Sequence, residues 1–335
     1  MTTLAVTNPT LLDVTKAMDP NGSIAVVAEI LNETNEVLDD WTMIEGNLPT
    51  GHRTTVRSGI PEPTWRQLYG GVQPTKATQV QVTDSCGMLE MYAEIDKALA
   101  DLNGNTAAYR MQQERAHIEG MAQAAAFTLF KGDESLNPER FTGLYPRFNA
   151  ISGAENGDNV MSALGAGTDN ASLWLIGWGP TTVHGIYPKG STAGLYMKDK
   201  GQVTIEDATG SNGGRYEAYR SHYRWDLGLS VPDWRYVVRI CNISRSALKA
   251  DASSGPNLPD LMFEAEERVP NMNGARFAWY GSRDILTKVR QQGAKGTKQS
   301  TLEWADVGGR KTLMSPTGLP MRRCDALAAD EAVVS

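Results

Sequence analysis

Cysteine is scarce in this sequence, and the three present, Cys86, Cys241 and Cys324, form no Cys-x-x-Cys pair. So odd and scattered a set argues against a disulfide framework or a zinc site, and fits a reducing cytoplasm. Histidine is nearly as rare. His52, His117, His184 and His222 fall in four different expected elements, none with a metal ligand at helical or hairpin spacing. No apolar run approaches the ~18 residues needed to span a bilayer. The start, Met1–Pro9, lacks the basic-then-apolar pattern of an exported chain, so export is not expected. The absence of any Gly-Lys dipeptide excludes a phosphate-binding P-loop, and Gly165-Ala-Gly167 runs into Thr168-Asp169-Asn170, which breaks the dinucleotide pattern. No Gly-x-Ser-x-Gly elbow and no His-Glu-x-x-His helix occur. The expectation is therefore no catalytic, no cofactor-binding and no metal residues, and a chain that is not an enzyme.

Positive charge is in the minority: 32 Lys and Arg against 39 Asp and Glu, a net −7. Such a chain is poorly suited to gripping nucleic-acid phosphates, though it suits a surface lying near DNA without adhering to it. The distribution says more than the total. Residues 1–41 hold Lys16 against Asp13, Asp19, Glu29, Glu33, Glu36, Asp39 and Asp40. Residues 280–323 hold Arg283, Lys288, Arg290, Lys295, Lys298, Arg310, Lys311, Arg322 and Arg323 against Asp284, Glu303 and Asp306. Two solvated faces of opposite sign explain this, and so does complementarity between the acidic segment and the basic stretch or an assembly partner.

The chain reads as a mixed α+β protein. Helical spacing covers 10–18 and 23–38. From Met43 to Asp84 turn signals at Pro49-Thr50-Gly51, Ser58–Pro61 and Gly70-Gly71 separate strand-like runs, Thr78–Thr83 alternating strictly. This long hairpin has too few large apolar residues for a core of its own, so it is either a mobile loop or an element lying on a neighbour. Arg53, Arg57, Trp65, Arg66 and Tyr69 are its candidate contact residues. From about Asn105 to Lys131 runs the strongest helix, ~40 Å long at 1.5 Å per residue, with Ala107, Met111, Ile118, Met121, Ala122, Ala125 and Leu129 expected inward. Residues 149–170, rich in Gly, Asn, Ser and Asp, read as a flexible connection. Leu173–Trp178 is a continuous apolar run, as for a buried strand. Tyr219–Val231 and Trp234–Ile240 alternate on either side of Pro232-Asp233 and predict an antiparallel pair with one polar face. Helices over 257–268 and 282–292, and strands over 275–280, 311–314 and 319–325, complete the reading.

Some residues invite a chemical interpretation. His184 sits in the densest local pattern, Thr182–Gly190, yet no partner acid or nucleophile stands near it in sequence, and its glycines and prolines punctuate a structural turn. His117 and His222 read as surface residues. Glu264, Glu266 and Glu267, with the aromatics Tyr219, Tyr223, Trp225 and Trp234, would suit a carbohydrate-binding or hydrolysing protein. Aromatics at strand period are more often cross-strand packing.

Three stretches carry a resemblance: Pro138–Leu144 following the long helix; Trp174–Gly190, continued by Tyr219–Leu229 and Asp233–Arg239; and Gly318–Leu327 with Asp330-Glu331. Together they resemble the major capsid proteins of tailed double-stranded DNA phages, of the Hong Kong 97-like fold and podovirus type, over nearly the whole chain. The resemblance implies an N-arm (1–41), an E-loop β-hairpin (42–84), a P-domain (85–165) with its spine helix (105–131), a mixed α/β A-domain (166–300) and terminal strands (301–335). It implies a virion subunit, assembled in the bacterial host cytoplasm into hexamers and pentamers of an icosahedral shell enclosing DNA, without a membrane. Partners it implies are a portal protein, a separate scaffolding protein (the arm begins within ~20 residues of Met1, leaving little room for a fused scaffold) and a decoration or cement protein. A nanocompartment shell of encapsulin type shares the fold and is the alternative within this class. No lysine–asparagine–glutamate set for covalent cross-linking is evident.

Overall fold

The computed structural model describes residues 33–102, 106–206, 214–250, 255–295, 304–307, 310–314 and 318–335. The helix expected over 10–18 and most of that over 23–38 lie outside the described residues; within them, Val37–Asp40 forms a single helical turn. Thirteen strands follow in the described residues: β1 (Met43–Glu45), β2 (Gly51–Gly59), β3 (Thr78–Asp96), β4 (Val160–Ser162), β5 (Asn170–Trp178), β6 (His184–Tyr187), β7 (Tyr196–Glu206), β8 (Arg215–Ser230), β9 (Val237–Ser244), β10 (Arg276–Gly281), β11 (Trp304–Val307), β12 (Arg310–Met314) and β13 (Pro320–Arg323). The chain divides into two compact units.

The larger unit comprises residues 34–87, 126–193 and 227–335. Its centre is a mixed sheet in the order β11-β12-β13-β10-β5-β9-β4. Every residue of β5 is buried, because both faces of the sheet are covered, which is why its sequence is apolar without alternation. On one face Leu173, Leu175, Val238, Ile240, Phe277 and Trp279 pack with Met262 and Ala265 of helix Leu258–Glu267, and with Ile285 and Val289 of helix Arg283–Lys295. On the other, Trp174 meets the rings of Phe130, Tyr145 and Phe148. Phe130 reaches it because the long helix, Thr106–Lys131, ends on this face. Glycine is required just beyond: a Cβ at Gly143 would lie 2.6–2.7 Å from the carbonyl oxygens of Thr128, Leu129 and Phe130. A second, six-stranded sheet runs β1-β6-β8-β3-β2 with β7 added on β8; β1, β2, β6, residues 78–87 of β3 and residues 227–230 of β8 belong to this unit, with β1 parallel to β6 and β2 antiparallel to β3.

The smaller unit comprises residues 88–125 and 194–226, with Glu33. β7 pairs antiparallel with β8 from Tyr196↔Arg224 to Glu206↔Arg215. Its apolar clusters are small: Ile95, Ala100 and Tyr109 in one, Ala93, Met121 and Tyr223 in the other. Polar links supplement them, Arg220 to Glu94 at 2.5 Å, Arg110 to Asp199 at 2.9 Å, and the Ser221 hydroxyl donating to Glu114 at 2.6 Å.

Three expectations are corrected. β8 and β9 are not a hairpin: Asp233 and the helical turn Trp234–Tyr236 redirect the chain, and β9 pairs with β5 and β4 in the other sheet. The apparent polar face of β9 comes from Arg239, which is buried and charge-paired. On the long helix Ala107, Met111 and Ile118 are exposed, while Tyr109, Met121, Ala125 and Leu129 are buried. Most of this helix lies in the smaller unit, whose apolar clusters are small, so much of the apolar stripe stays uncovered there. Residues 149–170 are more ordered than their composition suggests, with a helical turn at Glu155–Asn159 and β4 seated beside β9.

Candidate intersubunit arm

β2 and β3 form a two-stranded arm whose register runs from Gly51↔Ser85 to Gly59↔Thr78, with a bulge between Arg57 and Gly59. Its root is tightly specified. The Asn47 side chain brackets Arg53, accepting from its N–H and donating to its carbonyl, both at 2.7 Å. Gly51 admits no side chain, since a Cβ there would lie 2.0 Å from the Asp84 carbonyl oxygen. Asp84 itself is buried, and its carboxylate accepts from Arg147 and from the Ser230 hydroxyl, both at 2.8 Å.

Beyond the root, no partner surface for the arm is found among the described residues. Arg53 and Arg57 are exposed, Arg53 reaching only the Thr83 hydroxyl across the ribbon at 3.3 Å. Residues 60–77 form the tip, without strand pairing. Trp65 is 99% exposed and Leu68 87%, with Ile60, Tyr69 and Val72 also exposed and Arg66 beside them. Isolated exposed apolar residues are ordinary, whereas several large ones on one projection mark an interaction surface. Tyr69 adds a backbone observation. It occupies the left-handed region at φ 65°, in a turn closed by Gly70 N–H donating to the Gln67 carbonyl at 3.1 Å. That conformation costs a non-glycine residue about 1–2 kcal/mol. The next two residues are glycines, yet the strained position carries a tyrosine.

The other residues weighed from the sequence are engaged structurally. His117 Nδ1 contacts the Gln113 carbonyl at 2.9 Å, and His222 stacks on Tyr92 with ring centroids 4.5 Å apart. Glu264 pairs with Arg268 at 2.9 Å, and Glu266 accepts from Trp279 Nε1 at 3.0 Å. Arg110 lies over the Tyr219 ring, and Tyr223 is buried. Burial and the Glu114 carboxylate push the Tyr223 phenol up to about 12. Sequence spacing gave no sign of one convergence: His52 and His184 meet at the arm root.

Two further buried polar centres were missed. Asp40 accepts from the Tyr280 hydroxyl at 2.6 Å and pairs with Arg322 at 2.6 Å and Arg276 at 3.4 Å, tying the segment before β1 to β10 and β13. Part of the expected attraction between the acidic N-terminal segment and the basic stretch is thus satisfied within the chain. Burial first, then the Asp40 carboxylate, holds the Tyr280 phenol well above its ordinary range. The other centre is Arg239, whose signal was legible: a single charge in the apolar run Val237-Val238-Arg239-Ile240-Cys241 demands a buried partner.

Comparison with known proteins gives a consistent picture. The family model for major capsid protein GP7 matches residues 19–335. Nothing among curated protein sequences matches the chain. A chain of the near-atomic structure of bacteriophage epsilon15 is 34% identical, with TM-score 0.78, and the match covers 100% of both chains. The capsid of bacteriophage JBD30 matches at 11% identity and TM-score 0.44, over 96% of this chain and 100% of that one. An encapsulin complex from Synechococcus elongatus matches at 8% identity and TM-score 0.45, over 72% and 97%.

Proposed function

Because the chain belongs to the major capsid protein GP7 family, a structural subunit of the phage virion shell built from many copies of itself, we propose that the arm of residues 42–84 is its E-loop and that the tip grips an adjacent copy. In this reading Trp65 and Tyr69 bury against the neighbour, and Arg53, Arg57 and Arg66 make contacts at the rim. The observation that carries it is the exposure of Trp65 and Leu68 on a ribbon that, among the described residues, nothing covers. Fully burying one large apolar side chain contributes roughly 1.5–3 kcal/mol, so each tip offers several kcal/mol that only assembly realises. An isolated ribbon is marginal in water, and a neighbouring surface would also hold its strands together.

The finer organisation stands on the same reading. The subunits form hexamers and pentamers around a separate scaffolding protein, close on a portal and take in double-stranded DNA, with a decoration protein as a further partner. The net negative charge supports DNA being held by confinement and not by adhesion. The role is structural, without turnover. Replacing both Trp65 and Tyr69 by serine tests the arm. The subunit is expected to stay folded by circular dichroism while closed shells disappear from negative-stain fields. Shells of normal yield and size from that variant would sink the proposal.

A further inference from the structure

His52, on β2, and His184, on β6, approach edge to face with ring centroids 5.7 Å apart. His184 is only 2% exposed, and neither of its ring nitrogens completes a hydrogen bond; the Nδ1 of His52 is likewise buried and unpartnered. The Gly179 carbonyl lies near enough to favour a proton on His184 without closing a bond of normal geometry. The charged groups around the pair are few. β3 contributes Asp84, paired across the ribbon with His52, and helix Leu144–Arg147 contributes Arg147, which is bound to Asp84. β8 contributes Ser230, opposite His184 and uncharged. From the β1 side, Trp41 and Met43 pack at Gly185, and Glu45 instead accepts from the Gly190 N–H. Among the described residues Asp84 is the anion at this site, and Arg147 and Ser230 already engage both of its oxygens.

We propose that His184, set edge to face against His52, is a proton-sensitive catch, holding the arm root closed while its ring is neutral and loosening it when acid charges that ring. Protonation of His184 would place a cation in a buried site where, among the described residues, the carboxylate at hand is already committed to an arginine. Burial, followed by the neighbouring His52 ring, holds the His184 imidazole below its ordinary value, with Asp84 pulling weakly the other way. The closed root is therefore at full strength above the ordinary histidine value of about 6.5, and weakens as pH falls from there toward the depressed native value. Opening relieves the penalty because an exposed imidazolium is hydrated. The catch acts within one subunit, so it does not depend on what the tip touches.

Amide exchange on the unassembled full chain, corrected for the intrinsic pH dependence of exchange, tests this. Between about pH 7.5 and about pH 5, residues 49–57 and 81–87 are expected to lose roughly tenfold or more in protection, while β5 and β9 do not. His184→Gln should abolish that pH dependence. Should that variant fail to fold, His52→Gln serves instead: removing the neighbouring ring, which helps to hold His184 down, should move the midpoint of loosening to higher pH. Wild-type protection at the root that is unchanged over this range overturns the proposal. So does a folded His184→Gln chain that loosens at the wild-type midpoint, or a His52→Gln chain whose midpoint stays put.

Discussion

Arg239 Nη2 and Glu331 Oε2 lie 2.9 Å apart in the interior of the larger unit, joining β9 to the last residues of the chain. The guanidinium also donates to the Ser172 hydroxyl at 3.1 Å and the Phe148 carbonyl at 2.7 Å, and it covers the Tyr145 ring at 4.3 Å. Glu331 in turn accepts from the hydroxyls of Ser172 and Tyr145. A buried pair so completely engaged does not by itself make a protein more stable than apolar packing would, but breaking it leaves an unpaired buried charge. Glu331→Ala is therefore expected to destabilise by roughly 3–5 kcal/mol. Glu331→Gln, which keeps the shape and one acceptor oxygen but not the charge, should recover only part of that loss. Urea unfolding midpoints would check both; an alanine variant within error of wild type would show that the chain end is not docked as described.

Alkaline stability should depend on Tyr223. Its phenol, held up to about 12 by burial and by Glu114, stays protonated in the native state after the unfolded chain has begun to ionise near 10. The native contribution is thus intact below about pH 10 and is lost as pH rises toward about 12. Tyr223→Phe should flatten that part of the stability curve, read from melting temperatures across the alkaline range. An unchanged alkaline slope in the variant would mean that other groups set it.

Gly51→Ala should disturb the arm root. The new Cβ meets backbone, the Asp84 carbonyl at 2.0 Å, so no flexible side chain can give way. Overpacking of this kind costs about 1–3 kcal/mol. The expected outcome is a lower melting temperature and loss of amide protection confined to β2 and residues 78–87 of β3. Uniform loss across β5 and β9 would instead indicate that the root is part of the global folding unit.

The parts legible in the sequence share a physical character. β5 could be read because a strand covered on both faces is apolar throughout, and the long helix because its 26 residues keep one period with clear ends. The arm was readable from poverty, a ribbon with turn residues and few anchors. What escaped was decided by tertiary pairing of polar groups. Arg239 looked like the wet face of a hairpin: its apolar neighbours signal a buried partner, but nothing local identifies that partner as Glu331. Met111 and Ile118 looked inward because spacing records which residues share a helix face, but not whether anything covers that face. His52 and His184 sit in different strands, so only the pairing of β2 with β3 and of β6 with β8 brings them to one place.

Tyr69 allows function and local strain to be separated. Its positive φ disfavours side chains relative to glycine by about 1–2 kcal/mol, and the ring is exposed, with no contact among the described residues to offset that cost. If the turn were kept only for its shape, Tyr69→Gly would improve it: the Gln67–Gly70 turn should form at least as well, and the melting temperature of the unassembled subunit should not fall. The ring would be gone, however, and with it much of what the tip offers a neighbouring copy. Shell yield from Tyr69→Gly is therefore expected to drop well below wild type, while Tyr69→Phe, which keeps the ring and the strain, should assemble nearly normally. Light scattering of assembly reactions at matched subunit concentration would read the difference. Equal assembly by the glycine and phenylalanine variants would show that the tyrosine ring contributes nothing to the contact and that its place in the left-handed turn has another cause.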